Sequence, residues 1–247
     1  LGPSLDDPRQ CEVMLVAAPR DKVESRVATL ERVGLDIAAV DLEAFAAQRA
    51  IVELDATDYR DQSLRALVDI GASHTEVTLI SGGDFVLTRS VPIAGNTFSN
   101  ALVEQYGLDF KEAETRKQRV DMSVLVTGLG SRDEVELAKI VQVSLDDLLR
   151  EIRRSIQFFQ SQLSETGQAI HLAEILLTGG ASQMRGLPEF VAARLGIPSR
   201  LVDPMVGSRL LIDTHAEDEV QRNGPAFGIA LGLALKEADV VAGSAKR

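Results

Sequence analysis

Apolar residues fall along this chain at two different spacings, and the points where the spacing changes mark out the predicted elements. Residues 13–18 form a short apolar run stopped by Pro19, the pattern of a buried strand. Val23, Val27, Leu30 and Val33 then recur at helical spacing, and Gly34 ends that segment. A strand over 37–40 and a helix over 42–51 complete a strand–helix–strand–helix unit, which is an α/β arrangement. Residues 1–10, with two prolines and a glycine, read as a loop or tail.

Residues 55–61 are polar and turn-rich, and they mark a domain boundary. Beyond them the spacing becomes that of strands in succession. Residues 67–70 are apolar, 76–80 alternate, Ser81-Gly82-Gly83-Asp84 makes a turn, and 85–91 return as an antiparallel meander. Helices are predicted over 97–106, ended by Gly107, and over 109–118, capped by Asp109. Residues 120–131 are poorly patterned and read as loop. A long amphipathic helix over 144–163 places Leu145, Leu148, Leu149, Ile152, Ile156 and Phe159 on one face. An apolar strand over 174–177 precedes a helix over 187–195 with Pro188 in its first turn, then a short strand over 198–202. Residues 224–235 space Gly228, Ala230, Gly232 and Ala234 along a last helix, a surface that lets another backbone come close. The expected division is 1–53, 64–235 and a tail over 236–247.

Composition narrows the function classes. With 26 basic against 37 acidic residues the formal charge is −11, which disfavours nucleic-acid binding as the main activity. Cys11 is the only cysteine, so no intrachain disulfide forms. No apolar stretch approaches the ~18 residues of a membrane helix and no secretory signal opens the chain, so it is expected to be soluble. The start at Leu1 rather than Met points to missing N-terminal sequence. His74, His171 and His215 lack metal-ligand spacing.

Three features carry chemistry. Asp69-Ile70-Gly71-Ala72-Ser73-His74-Thr75 lies where two strands meet. A turn there exposes backbone N–H groups, Gly71 allows phosphate oxygens to approach, and Ser73 and Thr75 add hydroxyls. Asp69 suits a hydrated Mg²⁺, which takes few carboxylates and keeps its water. An ordinary hairpin reads equally well from this motif alone. Thr178-Gly179-Gly180-Ala181 is a second glycine turn after a buried strand, with room for a flat base or a ribose; alone it is a common turn. Glu114 and Lys117, three apart on a helix, can reach one ligand together, the carboxylate on ribose hydroxyls and the ammonium on phosphate or a ring nitrogen. A solvated charged face is the competing explanation of that pair.

In this order the motifs resemble those of the actin/Hsp70/hexokinase superfamily. Val68-Asp69-Ile70-Gly71 is similar to its second phosphate motif, Thr178-Gly179-Gly180-Ala181 to its adenosine motif, and Ala113-Glu114 with Lys117 to the nucleoside-contacting helix of bacterial actin-like proteins such as FtsA and MreB. Residues 223–232 resemble the second connecting helix. Within the superfamily, residues 40–46, 106–108, 112–114 and 153–159 resemble the type IV pilus assembly PilM family, and the likeness runs from about Val13 to Leu235.

That resemblance implies an α/β, actin-like (ribonuclease H-like) ATPase fold, of which this chain covers the end of domain 1 and all of domain 2. It implies ATP or ADP with Mg²⁺ as ligands, with nucleotide contacts at Asp69, Gly71, Ala72, Ser73, Thr75, Glu114, Lys117, Gly179, Gly180 and Ala181, and Asp69 holding Mg²⁺ through water. No catalytic residue is assigned. Glu43 falls roughly where active relatives orient water, but a helix-surface glutamate is the simpler explanation, and at most weak ATPase activity is expected. The implied partners are the N-terminal peptide of PilN and the pilus assembly platform and motor proteins. The implied location is cytoplasmic, on the inner membrane only through partners, and oligomers are compatible with the fold. The family also begins with an Asp-Ile-Gly phosphate turn, and no counterpart precedes Val13, so the chain is expected to be N-terminally truncated. A cell-division actin of the FtsA type, a small-molecule kinase of the superfamily, and an interaction fragment without nucleotide are the alternative readings.

Overall fold

The structure is a computed structural model describing residues 2–3, 9, 11–13, 15–55, 57, 59–61, 63–164, 171–206 and 210–244. It contains two compact units, residues 1–41 and 42–247. In the first, β1 (Gly2–Pro3) pairs antiparallel with β2 (Cys11–Glu12), and α1 (Arg20–Arg32) forms where the helical spacing predicts it. Most of residues 1–10 lie outside the described residues, as does Met14.

The predicted strands over 13–18 and 37–40 do not form among the described residues. Val13 and Leu15 are 80% and 90% exposed, and Val40 is exposed as well. An apolar run becomes a strand only when a neighbouring strand takes its backbone hydrogen bonds, and no described strand lies alongside these two.

The second unit is built on a five-stranded sheet of order β5-β4-β3-β6-β7. β3 (Leu64–Ile70), β4 (Thr75–Ser81) and β5 (Asp84–Val91) are the expected antiparallel meander, whereas β6 (Leu172–Thr178) and β7 (Ser199–Leu201) run parallel to β3. Such parallel neighbours require crossovers. The crossover from β5 to β6 runs through α3 (Gly95–Tyr106), α4 (Phe110–Lys117), α5 (Val124–Thr127) and α6 (Arg132–Ser164), and α7 (Leu187–Leu195) joins β6 to β7. The chain closes with α8 (Glu217–Asn223) and α9 (Gly228–Ser244), so the backbone over 236–244 continues a helix, and 245–247 lie outside the described residues. Among the described residues no helix is long and apolar enough to cross a membrane.

Strand alternation sends side chains to two faces of this sheet. Leu64, Ala66, Val68 and Ile70 of β3 join Phe98 and Leu102 of α3, the apolar face of α6, and Phe190 of α7 in the larger core. On the opposite face Leu67, Ile80 and Leu176 pack with Ala47 and Ile51 of α2 (Glu43–Leu54) and with Ile229 of α9. The β3–β6 register makes this second face a graded one, with Arg65 opposite Glu174, Leu67 opposite Leu176, and Asp69 opposite Thr178. At its lower end Arg65, 6% exposed, is held 2.7 Å from both Asp61 and Glu174, and Arg200 bridges Glu174 and Asp55. A buried guanidinium is tolerated only with its donors satisfied, and this network satisfies them. At the upper, carboxyl end of the parallel strands, where α/β sheets place ligands, the same face presents Asp69.

Besides α8, which was not predicted, and α9, which runs on to Ser244, two further stretches before β6 differ from the sequence-based expectation. α6 begins twelve residues earlier than predicted, and α5 occupies part of the expected loop. The start of α6 is a capping box: Ser131 N–H and Oγ each lie 2.8 Å from Glu134 Oε2, and Glu134 N–H donates back to Ser131 Oγ. Val135, Ala138 and Val141 then extend the apolar stripe into Leu145 without a break.

Candidate functional site

Asp69 ends β3, and the turn after it is braced from α3. Gly71 O accepts from Gly95 N–H at 3.0 Å, and Ala72 O from Asn96 N–H at 2.7 Å. The turn is therefore tied to the start of α3. Gly71 N–H itself donates to His74 O at 3.1 Å, closing the turn internally rather than pointing at a ligand.

The second turn is packed against the first. Gly179 has φ +88, and a Cβ there would overlap Asp69 Oδ1 and the Ile70 carbonyl, so glycine is required by conformation and by space. Gly179 N–H and Thr178 Oγ1 both donate to Pro225 O, at 3.0 and 3.1 Å, which anchors residues 224–227 over this turn. Gly180–Gln183 follows as a single 3₁₀ turn.

Between the turns lies a cleft of about 680 Å³, large enough for a nucleotide. Gly71, Ala72, Gly180 and Ala181 line its floor, and Glu114 and Lys117 stand on one wall. Phe110, Glu114, Lys117 and Gln118 follow the i, i+4, i+7, i+8 spacing, so α4 turns one whole face inward. Its N-cap is Asp109, as predicted, accepting from Glu112 N–H at 2.8 Å. Lys117 Nζ is 2.8 Å from the Glu114 carboxylate and 3.2 Å from Gly95 O. An ammonium has three N–H donors, so one more remains for a ligand. Burial works to raise the Glu114 pKa, but the hydrogen bonds from Lys117 and Ser99 outweigh it and hold the carboxyl below its ordinary value. Glu114 is therefore an ionised acceptor at neutral pH.

Four predicted contacts do not line the cleft: Gly179, which packs on Asp69 and Ile70, and Ser73, Thr75 and Asp69. Ser73 is exposed with its Oγ 2.9 Å from His74 Nδ1. Thr75 is buried and donates to Ile93 O at 2.7 Å, bracing β4 rather than facing a ligand. Asp69 sits behind Gly179, on the α2 face of the sheet. Burial, then the charges of Glu43 and Glu76, raise its pKa to about 6. Glu76 is its direct cross-strand partner, an unfavourable pairing of like charges. A cation beside Asp69 would relieve that repulsion. Among the described residues no cluster of three His, Cys, Asp or Glu side chains could hold a metal alone. A hydrated Mg²⁺ would therefore need ligand oxygens from elsewhere, such as phosphate, beside the single Asp69 carboxylate.

The opposite wall was missed by sequence reasoning. Glu219, Arg222 and Asn223 of α8, with Ala226, face α4 across the cleft, and Asn96 and Gly95 lie at its inner end. A Cβ at Gly95 would stand 3.2 Å from Ala181 Cβ and 3.3 Å from Lys117 Nζ, filling the cradle. The available signal was Gly95-Asn96 opening a predicted helix just after a strand.

Comparison with known proteins places this geometry. The chain is 29% identical over 194 residues to the cell division protein FtsA of Escherichia coli K12, covering 72% of this chain and 45% of that one. FtsA of Pseudomonas aeruginosa is 26% identical over 222 residues, covering 83% and 49%. The chain thus spans about half the length of these relatives. Among solved structures, a chain of the PilM-PilN type IV pilus biogenesis complex superposes with a TM-score of 0.69 at 26% identity, covering 87% of this chain and 57% of that chain. MreB5 of Spiroplasma citri bound to ADP gives 0.64 at 13% identity, covering 90% and 67%, a likeness of fold alone. The fold is that of the actin-like ATPases, with the two glycine turns facing one cleft. The family of type IV pilus assembly protein PilM matches residues 1–238, and the chain belongs to that family.

Proposed function

We propose that this chain binds ATP or ADP with Mg²⁺ in the cleft between the Gly71 and Gly180 turns, as an actin-like component of type IV pilus assembly. The observation that carries the reading is the convergence of both glycine turns with Glu114 and Lys117 on one cleft. Gly71, Gly95 and Gly180 leave the floor open to phosphate and sugar, the Glu114 carboxylate accepts from ribose hydroxyls, and Lys117 directs its remaining N–H at the ligand. Bound Mg²⁺ would offset phosphate charge, and Asp69 would orient its water. We read the nucleotide as a structural or regulatory ligand with at most slow turnover.

In this reading residues 64–235 form the nucleotide-binding domain, with α2 packed on its sheet, and residues 1–41 belong to a separate unit. The protein works at the cytoplasmic side of the inner membrane, attached through the N-terminal peptide of a PilN partner, and couples to the assembly platform and motor proteins. The solved PilM-PilN complex supports the choice of partner. A cell-division role of the FtsA type is the second reading, favoured by the 29% identity to that protein. The family match and the pilus complex weigh towards pilus assembly.

Calorimetric titration with ATP and Mg²⁺ tests the proposal. Saturable one-to-one binding is expected, weakened about tenfold by Lys117→Ala, the loss of one charge-assisted hydrogen bond. An absence of binding to either nucleotide, with a PilN N-terminal peptide still bound, would leave a docking module and overturn the nucleotide role.

A further inference from the structure

Ser99 is fully buried in α3, one turn behind the cleft. Its Oγ lies 2.6 Å from Glu114 Oε2 and 3.1 Å from the Gly95 carbonyl. The second contact is the i−4 back-bond that many helical serines make. The first is different: it reaches another helix, it is shorter, and its acceptor is charged. A hydroxyl has one proton, and the charge-assisted contact takes it.

We infer that Ser99 is a positioning residue for sugar recognition, holding the Glu114 carboxylate so that it accepts from the vicinal hydroxyls of a ribose. Lys117 alone could not do this. It lies on the same helix three residues from Glu114 and reaches α3 only through the Gly95 carbonyl at 3.2 Å, which does not hold the carboxylate itself; Ser99 fixes the carboxylate directly from that second helix. A carboxylate has about four lone-pair sites, and with Ser99 and Lys117 engaged on it there is capacity left for two hydroxyl donors. The cleft opening lies on that side, because the Glu114 side chain is 38% exposed there while Ser99 is sealed. The assignment rests on the nucleotide reading above and adds to it a residue and a preference for ribose over 2′-deoxyribose.

The test compares MgATP with Mg-2′-deoxy-ATP on the wild-type chain and on Ser99→Ala. Ser99→Ala is expected to weaken ATP about tenfold, the scale of one hydrogen bond to a charged group, while 2′-deoxy-ATP, which keeps only the 3′-hydroxyl for Glu114, weakens by no more than about threefold. The preference for ribose therefore shrinks. In the Glu114→Gln background Ser99→Ala should add little, because it acts through that carboxylate. Carbon-detected NMR titration of Glu114 gives a readout without nucleotide: its pKa should rise in Ser99→Ala, since the Ser99 bond helps hold it low. Equal losses for both nucleotides, or an unmoved Glu114 titration, would make Ser99 a packing residue and overturn the inference. Should Ser99→Ala not fold, Glu114→Gln must itself erase the ribose preference, and its retention would overturn the inference. A wild-type chain that binds neither nucleotide overturns the parent reading and the sugar role with it, and the Glu114 titration then reports separately on the Ser99 contact.

Discussion

Asp69→Asn is expected to raise the melting temperature of the chain at pH 7.5 and, in the same protein, to abolish measurable MgATP binding. The carboxyl of Asp69 is pushed from 3.8 to about 6, first by burial and then by Glu43 and Glu76. Between those two values the folded state keeps a proton that the unfolded state has lost, so stability falls as pH rises through that window and levels off above about 6. At 1.36 kcal/mol per unit the full cost of ionisation is at most about 3 kcal/mol, and partial solvent access reduces it to about half that figure. Removing the charge recovers that cost, about 5 °C for a unit of this size. The gain over wild type should vanish near pH 4, where both forms are neutral. Binding moves the other way, because an amide cannot offset Mg²⁺. Thermal melts from pH 4 to 8 and parallel titrations check both halves. A variant that lowers stability at neutral pH would contradict the assigned electrostatics, and one that still binds MgATP would remove Asp69 from the metal's role.

Gly232→Ala is expected to destabilise the chain, although alanine is the better helix former. Propensity favours the change by about 1 kcal/mol. Against it, the new Cβ would overlap the carbonyl oxygen of Ala46, where α9 crosses α2 at backbone contact. Neither atom is the end of a flexible side chain, so the helices must separate. That strains the packing around Ala46 and Ala50, both fully buried, and the bond from Arg49 Nη1 to Gly232 O. Overpacking of this kind costs about 1–3 kcal/mol and occasionally more; a rigid backbone obstacle belongs at the upper end, leaving a net loss of about 2 kcal/mol. Urea denaturation measures it. A neutral or stabilising result would mean that the two helices are not locked at this crossing. Gly228→Ala is the control, since the nearest atom to its added Cβ, Thr178 Oγ1, is 3.9 Å away.

Much of this arrangement was readable from residue order. The glycine turns lay after apolar strands, and Glu114 and Lys117 shared a helical face, so their meeting on one cleft followed from local rules applied twice. The small-residue stripe of α9 announced the close crossing that Gly232 makes. The hydroxyls were misjudged for a reason equally local. Thr75 shares its strand parity with Val77 and Leu79, which point into the larger core, so it faces away from Asp69. The early start of α6 was also written in the chain, as Ser131 three residues before Glu134. By contrast, the wall formed by Arg222 and Asn223 depends on how residues 224–227 dock over Gly179, a contact between segments 45 residues apart with no local signature. The apolar residues of 13–18 and 37–40 carried a strand-like pattern that misled, because a pattern does not supply the neighbouring strand that the backbone needs.

The central claim is that the cleft between the Gly71 and Gly180 turns is the nucleotide site, and amide chemical-shift mapping with MgADP and MgATP tests it most directly. The expected result is a saturable set of shifts at Gly71, Ala72, Gly95, Asn96, Gly180 and Ala181, extending to the inward face of α4 at Glu114 and Lys117. Shifts confined to other surfaces, or none at saturating nucleotide, would contradict the account and leave the two glycine turns as structural joints of the sheet.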